Sequence, residues 1–235
     1  MSITEALLGP LRAAAPSRPL ITHYDDAAGT RVELSVATLA NWAAKTANWL
    51  TAEHDLEPGD PVAVLLPAHW QAAGILLGAW WCGATVTNGR GDARVVFVPP
   101  GVAASGAEAV AVVSLDPMGR DLGSPDGVVD FVAEARLHGD DFVALSEVPG
   151  STPALLESTV DEVLATARER AATLEISPGA RVLSTVDWTF PEGVTDSLLA
   201  VLAGGGSLVQ VTHADPAKLP GHRAAERTTV ELTEP

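Results

Sequence analysis

The sequence holds one cysteine, Cys82, and two lysines, Lys45 and Lys218, among 235 residues. A single cysteine can form neither an intramolecular disulfide nor a multi-cysteine zinc site. Cations are scarce altogether: 14 lysines and arginines stand against 30 aspartates and glutamates, a formal charge of -16. Such an excess repels phosphate backbones and anionic membrane surfaces, so neither a nucleic-acid partner nor a membrane partner is expected. The longest uncharged stretch, residues 61–89, is interrupted by Pro67, His69, Gln71 and Asn88. A spanning helix needs roughly 18 or more apolar residues in succession, which this stretch does not supply. Glu5, with no basic cluster ahead of an apolar run, is unlike a secretory leader, and the expected location is cytoplasmic. Neither a Gly-x-Ser-x-Gly elbow nor a His-Glu-x-x-His zinc motif occurs.

What is present suits a packed core. Hydrophobic residues make up 47% and charged residues 19%, too apolar a mixture for a disordered or fibrous chain. A helix over residues 3–15 leads into a hairpin of strands 20–24 and 31–35 about Asp25-Asp26-Ala27-Ala28-Gly29. Leu39, Trp42, Ala43, Thr46, Trp49 and Leu50 then recur at helical spacing, with Asn41, Lys45, Asn48 and Glu53 opposite. Pro58-Gly59-Asp60 turns the chain into the apolar run Val62-Ala63-Val64-Leu65-Leu66, the pattern of a buried parallel strand. A nearly all-apolar helix over 69–82 and a strand over 85–87 follow. If that helix keeps an exposed side, Trp70, Trp80 and Trp81 offer a self-association patch for a homodimer. Further strands are expected at 95–98, 110–114, 142–145, 181–184 and 207–211, with helices at 128–137, 154–174 and 194–203. The tail from residue 214 is expected to be polar and solvated, ending in a short strand at 229–232 or in disorder. The alternation predicts an α/β fold of mostly parallel sheets with helices on both faces. The Pro-, Gly-, Asp- and Ser-rich stretch 116–127 suggests two α/β subdomains, 1–115 and 116–235.

Several segments carry a family resemblance. Arg31-Val32-Glu33-Leu34-Ser35-Val36-Ala37-Thr38-Leu39, then Leu56-Glu57-Pro58-Gly59-Asp60-Pro61-Val62-Ala63-Val64-Leu65-Leu66-Pro67, then Gly78-Ala79-Trp80-Trp81-Cys82-Gly83-Ala84, and later Leu202-Ala203-Gly204-Gly205-Gly206 are similar to the amino-terminal part of the adenylate-forming (AMP-binding) synthetases and ligases. The resemblance implies a Ser/Thr/Gly-rich phosphate loop ending in Pro-Lys-Gly, whose N–H groups and hydroxyls hold the ATP phosphates. The matching segment, Ser146-Glu147-Val148-Pro149-Gly150-Ser151-Thr152-Pro153-Ala154, has one glycine, no lysine and an added Glu147. An acid beside a triphosphate is unfavourable, and no cation near it in sequence offsets the charge. The adenine- and ribose-binding motifs and the carboxy-terminal lid domain with its lysine find no counterpart. The pattern resembles shortened actinobacterial relatives, from which no activity carries over.

Two candidate sites follow. Gly150, Ser151 and Thr152 form a weak phosphate-binding candidate at the start of helix 154–174; the commoner account is an N-cap by Ser151 or Thr152 with Pro153 at the first helical position. Asp187, Trp188 and Phe190 follow strand 181–184, where the resemblance implies aromatic residues along the acyl pocket. At the carboxyl end of a parallel strand they either face the ligand crevice or cover the sheet edge. Gly204-Gly205-Gly206 follows a helix and precedes a strand, the order of a helix C-cap. His69 reads as a structural histidine at a helix start, and His213, Asp215 and His222 lack the spacing of a metal site, so no metal is expected. Arg90-Gly91-Asp92 is assigned no function. The expectation is a catalytically degenerate module that binds a small molecule or a partner protein and uses no cofactor. The alternative is residual adenylate-forming activity with ATP or AMP and magnesium, completed by a separate polypeptide.

Overall fold

The computed structural model describes residues 1–89, 93–103, 107–123 and 129–233. Arg90-Gly91-Asp92 and Val128 lie outside the described residues. In the first half of the chain, α1 (Ile3–Ala14), β1 (Pro19–Asp25), β2 (Thr30–Ser35), α2 (Val36–His54), β3 (Pro61–Val64), α3 (Trp70–Trp81), β4 (Thr85–Thr87), β5 (Val95–Val98) and β6 (Ala109–Val112) follow one another. Then come β7 (Val129–Asp130), α4 (Phe131–Ala135), β8 (Pro153–Leu155), β9 (Ser158–Thr159), α5 (Val160–Thr173) and β10 (Arg181–Ser184). A rod of α6 (Glu192–Val194), a π-helical stretch (Thr195–Leu199) and α7 (Ala200–Ala203) leads to β11 (Ser207–Thr212), α8 (Leu219–Glu226) and β12 (Val230–Leu232).

The strands form two sheets. The first has five strands in the order β12-β10-β11-β1-β2, parallel except for the β1–β2 hairpin. The second has seven, β7-β6-β5-β3-β4-β8-β9, parallel except for β8–β9. This is the α/β architecture the alternation predicts. Strands from both sides of residue 115 enter each sheet: β1 and β2 join β10–β12, and β8 and β9 join β3–β7.

The helices pack where their sequence faces dictate. α3 is buried at every residue, so Trp70, Trp80 and Trp81 are core and offer no exposed self-association patch. It presses closely on α2: a Cβ at Gly78 would stand 2.4 Å from Thr46 Cβ and 2.6 Å from the Ala43 carbonyl. Only glycine permits that approach. Trp49, Phe97 and Phe131 interlock edge to face or tilted, with centroids 5.1–5.8 Å apart, and tie α2, β5 and α4 together.

Three local expectations are corrected. Residues 142–145 form no strand and have no ladder partner, leaving Val143 81% and Leu145 98% exposed. Their β-branched and apolar composition is suited to a sheet, but no neighbouring strand lies alongside among the described residues. The helix expected from Ala154 begins at Val160, because Pro153–Leu155 turns back on Ser158–Thr159 as a short antiparallel pair. The tail ends in one of its two expected forms, the short strand β12 (Val230–Leu232), but the segment before it is docked rather than merely solvated: the buried Asp26 carboxylate accepts from His222 at 2.9 Å and from the Asp215 N–H at 2.9 Å, which holds α8 against the first sheet. Burial alone would raise the Asp26 pKa, but these bonds and the Lys218 ammonium hold it below the usual range.

Candidate ligand-binding cleft

Because β1, β10 and β11 run parallel, their carboxyl ends open on one side, where they face the loop between β3 and α3. A cleft of about 570 Å³ lies there, in the position where open α/β sheets place their ligands. The register of β1 and β11 sets His23 beside Gln210 and Asp25 beside Thr212. The two-residue period of each strand turns one face of both pairs toward the cleft. Pro67, Ala68 and His69 close the opposite wall, and Thr185 and Asp187 enter from the end of β10.

The floor is a connected polar layer. His23 Nε2 and the Thr212 hydroxyl are 3.1 Å apart, and that hydroxyl donates to the Tyr24 carbonyl at 3.2 Å. Gln210 is paired at both ends: its amide donates to the Val186 carbonyl at 3.0 Å, and its Oε1 accepts from the Trp188 indole N–H at 3.2 Å. His69 caps α3, its Nδ1 accepting from the Gln71 N–H at 3.2 Å. In a neutral imidazole this leaves the proton on Nε2.

Burial sets the charge states. Desolvation pushes His23 down to about 4 and His69 down to about 3, the second assisted by the neighbouring imidazole of the first. Both rings are therefore neutral near pH 7. Burial alone would raise the Asp25 carboxyl, yet the N–H groups of Ala28 and Ala27 and the His213 ring outweigh it and hold it below the usual range. Asp187 accepts from the Ala68 N–H at 3.1 Å and from its neighbour Trp188 N–H at 2.8 Å. No lysine or arginine lines the cleft among the described residues.

The residues singled out from the sequence are dispersed. Asp187 lines the cleft; Trp188 is buried behind it and orients Gln210; Phe190 packs partly buried against the main core and is not among the lining residues. Gly150, Ser151 and Thr152 lie before the β8–β9 pair, at the start of α5 but with carbonyls turned to it. Thr152 O accepts from the Val160 N–H and Gly150 O from the Asp161 N–H, both at 3.0 Å. Thr159 is the N-cap, its hydroxyl accepting from Glu162 N–H while the Glu162 carboxylate accepts from Thr159 N–H. A Cβ at Gly150 would stand 2.2 Å from the Asp161 carboxylate. The ammonium of Met1 bonds the Val148 carbonyl at 2.8 Å, a cation that separation along the chain conceals.

Sequence reasoning did not assemble His23, Asp25, Thr212 and Gln210. Their signal is polar residues two apart at the carboxyl ends of two strands, and it becomes readable only once those strands are known to be neighbours. Among the described residues no cluster of three or more metal-binding side chains occurs, and no helix is long and apolar enough to cross a membrane.

No protein-family model matches the sequence. The fold matches that of an acyl-CoA synthetase from Brucella canis with a TM-score of 0.81 at 17% identity, over the whole of this chain and 47% of that one. It also matches the anthranilate CoA ligase AuaEII, solved in complex with anthranoyl-AMP, with a TM-score of 0.71 at 13% identity over 89% of this chain and 44% of that one. The chain spans about half the length of these solved structures and shares their fold. A TIGR03089 family protein from Mycobacterium tuberculosis is 44% identical over 238 residues, a match covering 97% of each chain. With identity of that level along nearly its entire length, the chain belongs to the TIGR03089 family.

Proposed function

We propose that this protein is a non-catalytic, cytoplasmic member of the adenylate-forming fold, a module that binds a small molecule in the cleft between its sheets. The observation that carries the reading is the state of α5's amino terminus. All four donors from Thr159 to Glu162 are already satisfied by acceptors of the chain itself. The Asp161 carboxylate lies against Gly150, where a phosphate would need open space and positive potential. Those residues do not fit a triphosphate, and no step of phosphoryl chemistry is assigned to them. The test is thermal unfolding with millimolar ATP or AMP and magnesium. A nucleotide that binds the native state raises the melting temperature once it exceeds its dissociation constant. The reading predicts no rise, and a concentration-dependent rise contradicts it.

A second reading draws on one fact, that the chain matches only 47% of the Brucella canis enzyme. A separate polypeptide supplying the remainder would complete an adenylate-forming ligase, with ATP and magnesium as its cofactors. Pyrophosphate release by this chain mixed with such a partner, and by neither alone, is its signature.

A further inference from the structure

From the charge and hydrogen-bonding character of the cleft, we infer that it takes a cationic or uncharged small molecule with an apolar body and excludes carboxylates and phosphates. The inference rests on the reading of the cleft as a ligand site and adds the class of ligand. Two acids, Asp25 and Asp187, border the cavity, and no lysine or arginine does so among the described residues. Inside a cleft partly shielded from water, those carboxylates act on a ligand charge more strongly than they would in solvent. Among the described residues no lining guanidinium or ammonium answers the repulsion that an anion meets there, whereas a cation meets attraction. Leu115, Pro117 and Val211 supply apolar wall, which suits a ligand with a hydrocarbon or aromatic body.

The buried histidine supplies the other half of the argument. His69 is only 6% exposed, and its Nδ1 is taken by the Gln71 N–H. Its Nε2–H lines the cleft without a hydrogen-bond partner among the described residues. That N–H is open to the cleft rather than sealed from solvent, so a ligand carbonyl, ether or hydroxyl oxygen can accept from it in place of water. The opposite arrangement, a cationic imidazolium that could hold a carboxylate, is disfavoured by the burial of His69 and by its contact with His23, centroid to centroid 4.6 Å.

Three probes of one shape separate the cases: benzylamine, benzyl alcohol and benzoate, titrated into the full chain at about pH 8, where an unperturbed imidazole is neutral. Binding is read from the nuclear magnetic resonance shift of the Trp188 indole N–H, which is bonded to Gln210 at the cleft floor. Benzoate is expected to be the weakest of the three, by about tenfold or more against benzylamine. Asp25→Asn combined with Asp187→Asn is expected to bring the amine toward benzoate while leaving the alcohol unchanged; if that variant does not fold, the ranking on the unmodified chain decides. Smaller discrimination, a preference for benzoate, or an amine preference that survives in the folded double variant overturns the charge assignment while leaving a ligand cleft in place. No response to any of the three overturns the cleft reading as well.

Discussion

His23 and His69 meet edge to face, ring centroids 4.6 Å apart and planes at 77°, where the end of β1 touches the start of α3. Both are native bases held neutral by burial, with pKa values of about 4 and about 3 against 6.5 for the free side chain. The groups facing them, Asp25 and His213, modify this without reversing it. Below pH 6.5 the unfolded chain therefore binds protons that the native state refuses, so stability is complete above that pH and is lost as pH falls toward 4. Each histidine contributes a slope of about 1.4 kcal/mol per pH unit in that window. Urea midpoints measured between pH 7.5 and about 5 should show the decline, and His69→Asn should make it shallower. A flat profile would rule out two neutral buried rings.

Glu226 anchors the opposite face of the first sheet. Its carboxylate accepts from Tyr24 at 2.6 Å and Arg31 at 2.8 Å, and pairs with Arg181, joining α8 to β1, β2 and β10. Burial alone would raise its pKa, but these partners bring it down to about 2. Glu226→Ala removes the more buried of the two carboxylates that Arg31 and Arg181 share, leaving Glu33 to pair with both. A loss of about 1–3 kcal/mol is expected, as for charged hydrogen bonds lost at one partner, and is measured by equilibrium denaturation.

Two glycine substitutions should have opposite effects. Gly78→Ala forces α3 off α2, since its Cβ would overlap Thr46 and the Ala43 carbonyl, and should cost about 1–3 kcal/mol. Gly9→Ala, in α1 with open space around it, should be neutral or stabilise by up to about 1 kcal/mol. Equal melting temperatures for the two variants would contradict the close helix contact.

Trp188→Phe keeps the buried ring but removes the indole N–H that Gln210 Oε1 accepts. Leaving that buried oxygen unpaired should cost about 1–3 kcal/mol by urea denaturation. Phe190→Leu, at the partly buried residue beside the core, should cost less, because no polar partner is stranded.

Most of the fold could be read from local pattern because its elements obey it. Helical spacing from Leu39 to Leu50 lies inside α2, and the run Val62-Ala63-Val64 is a central parallel strand. Glycines 204–206 end a helix, with Gly205 N–H donating to Leu202 and Gly206 N–H to Val201. The helix start at Val160 was hidden because Ala154, Leu155 and Leu156 continue its apolar spacing, while Thr159 and Glu162, which form the capping box, decide it locally. The candidate site was legible only at Asp187. His23, Gln210 and His69 are far apart in sequence, and β1 meets β11 only through a long-range parallel pairing that no local pattern announces.

The most direct measurement of the central claim is pyrophosphate release from ATP and magnesium with a panel of carboxylic acids, using the purified full chain. The occupied amino terminus of α5 and Asp161 beside Gly150 predict release equal to that of heat-inactivated protein for every acid. Sustained, acid-dependent release above that control would contradict the account and make this chain an adenylating enzyme in its own right.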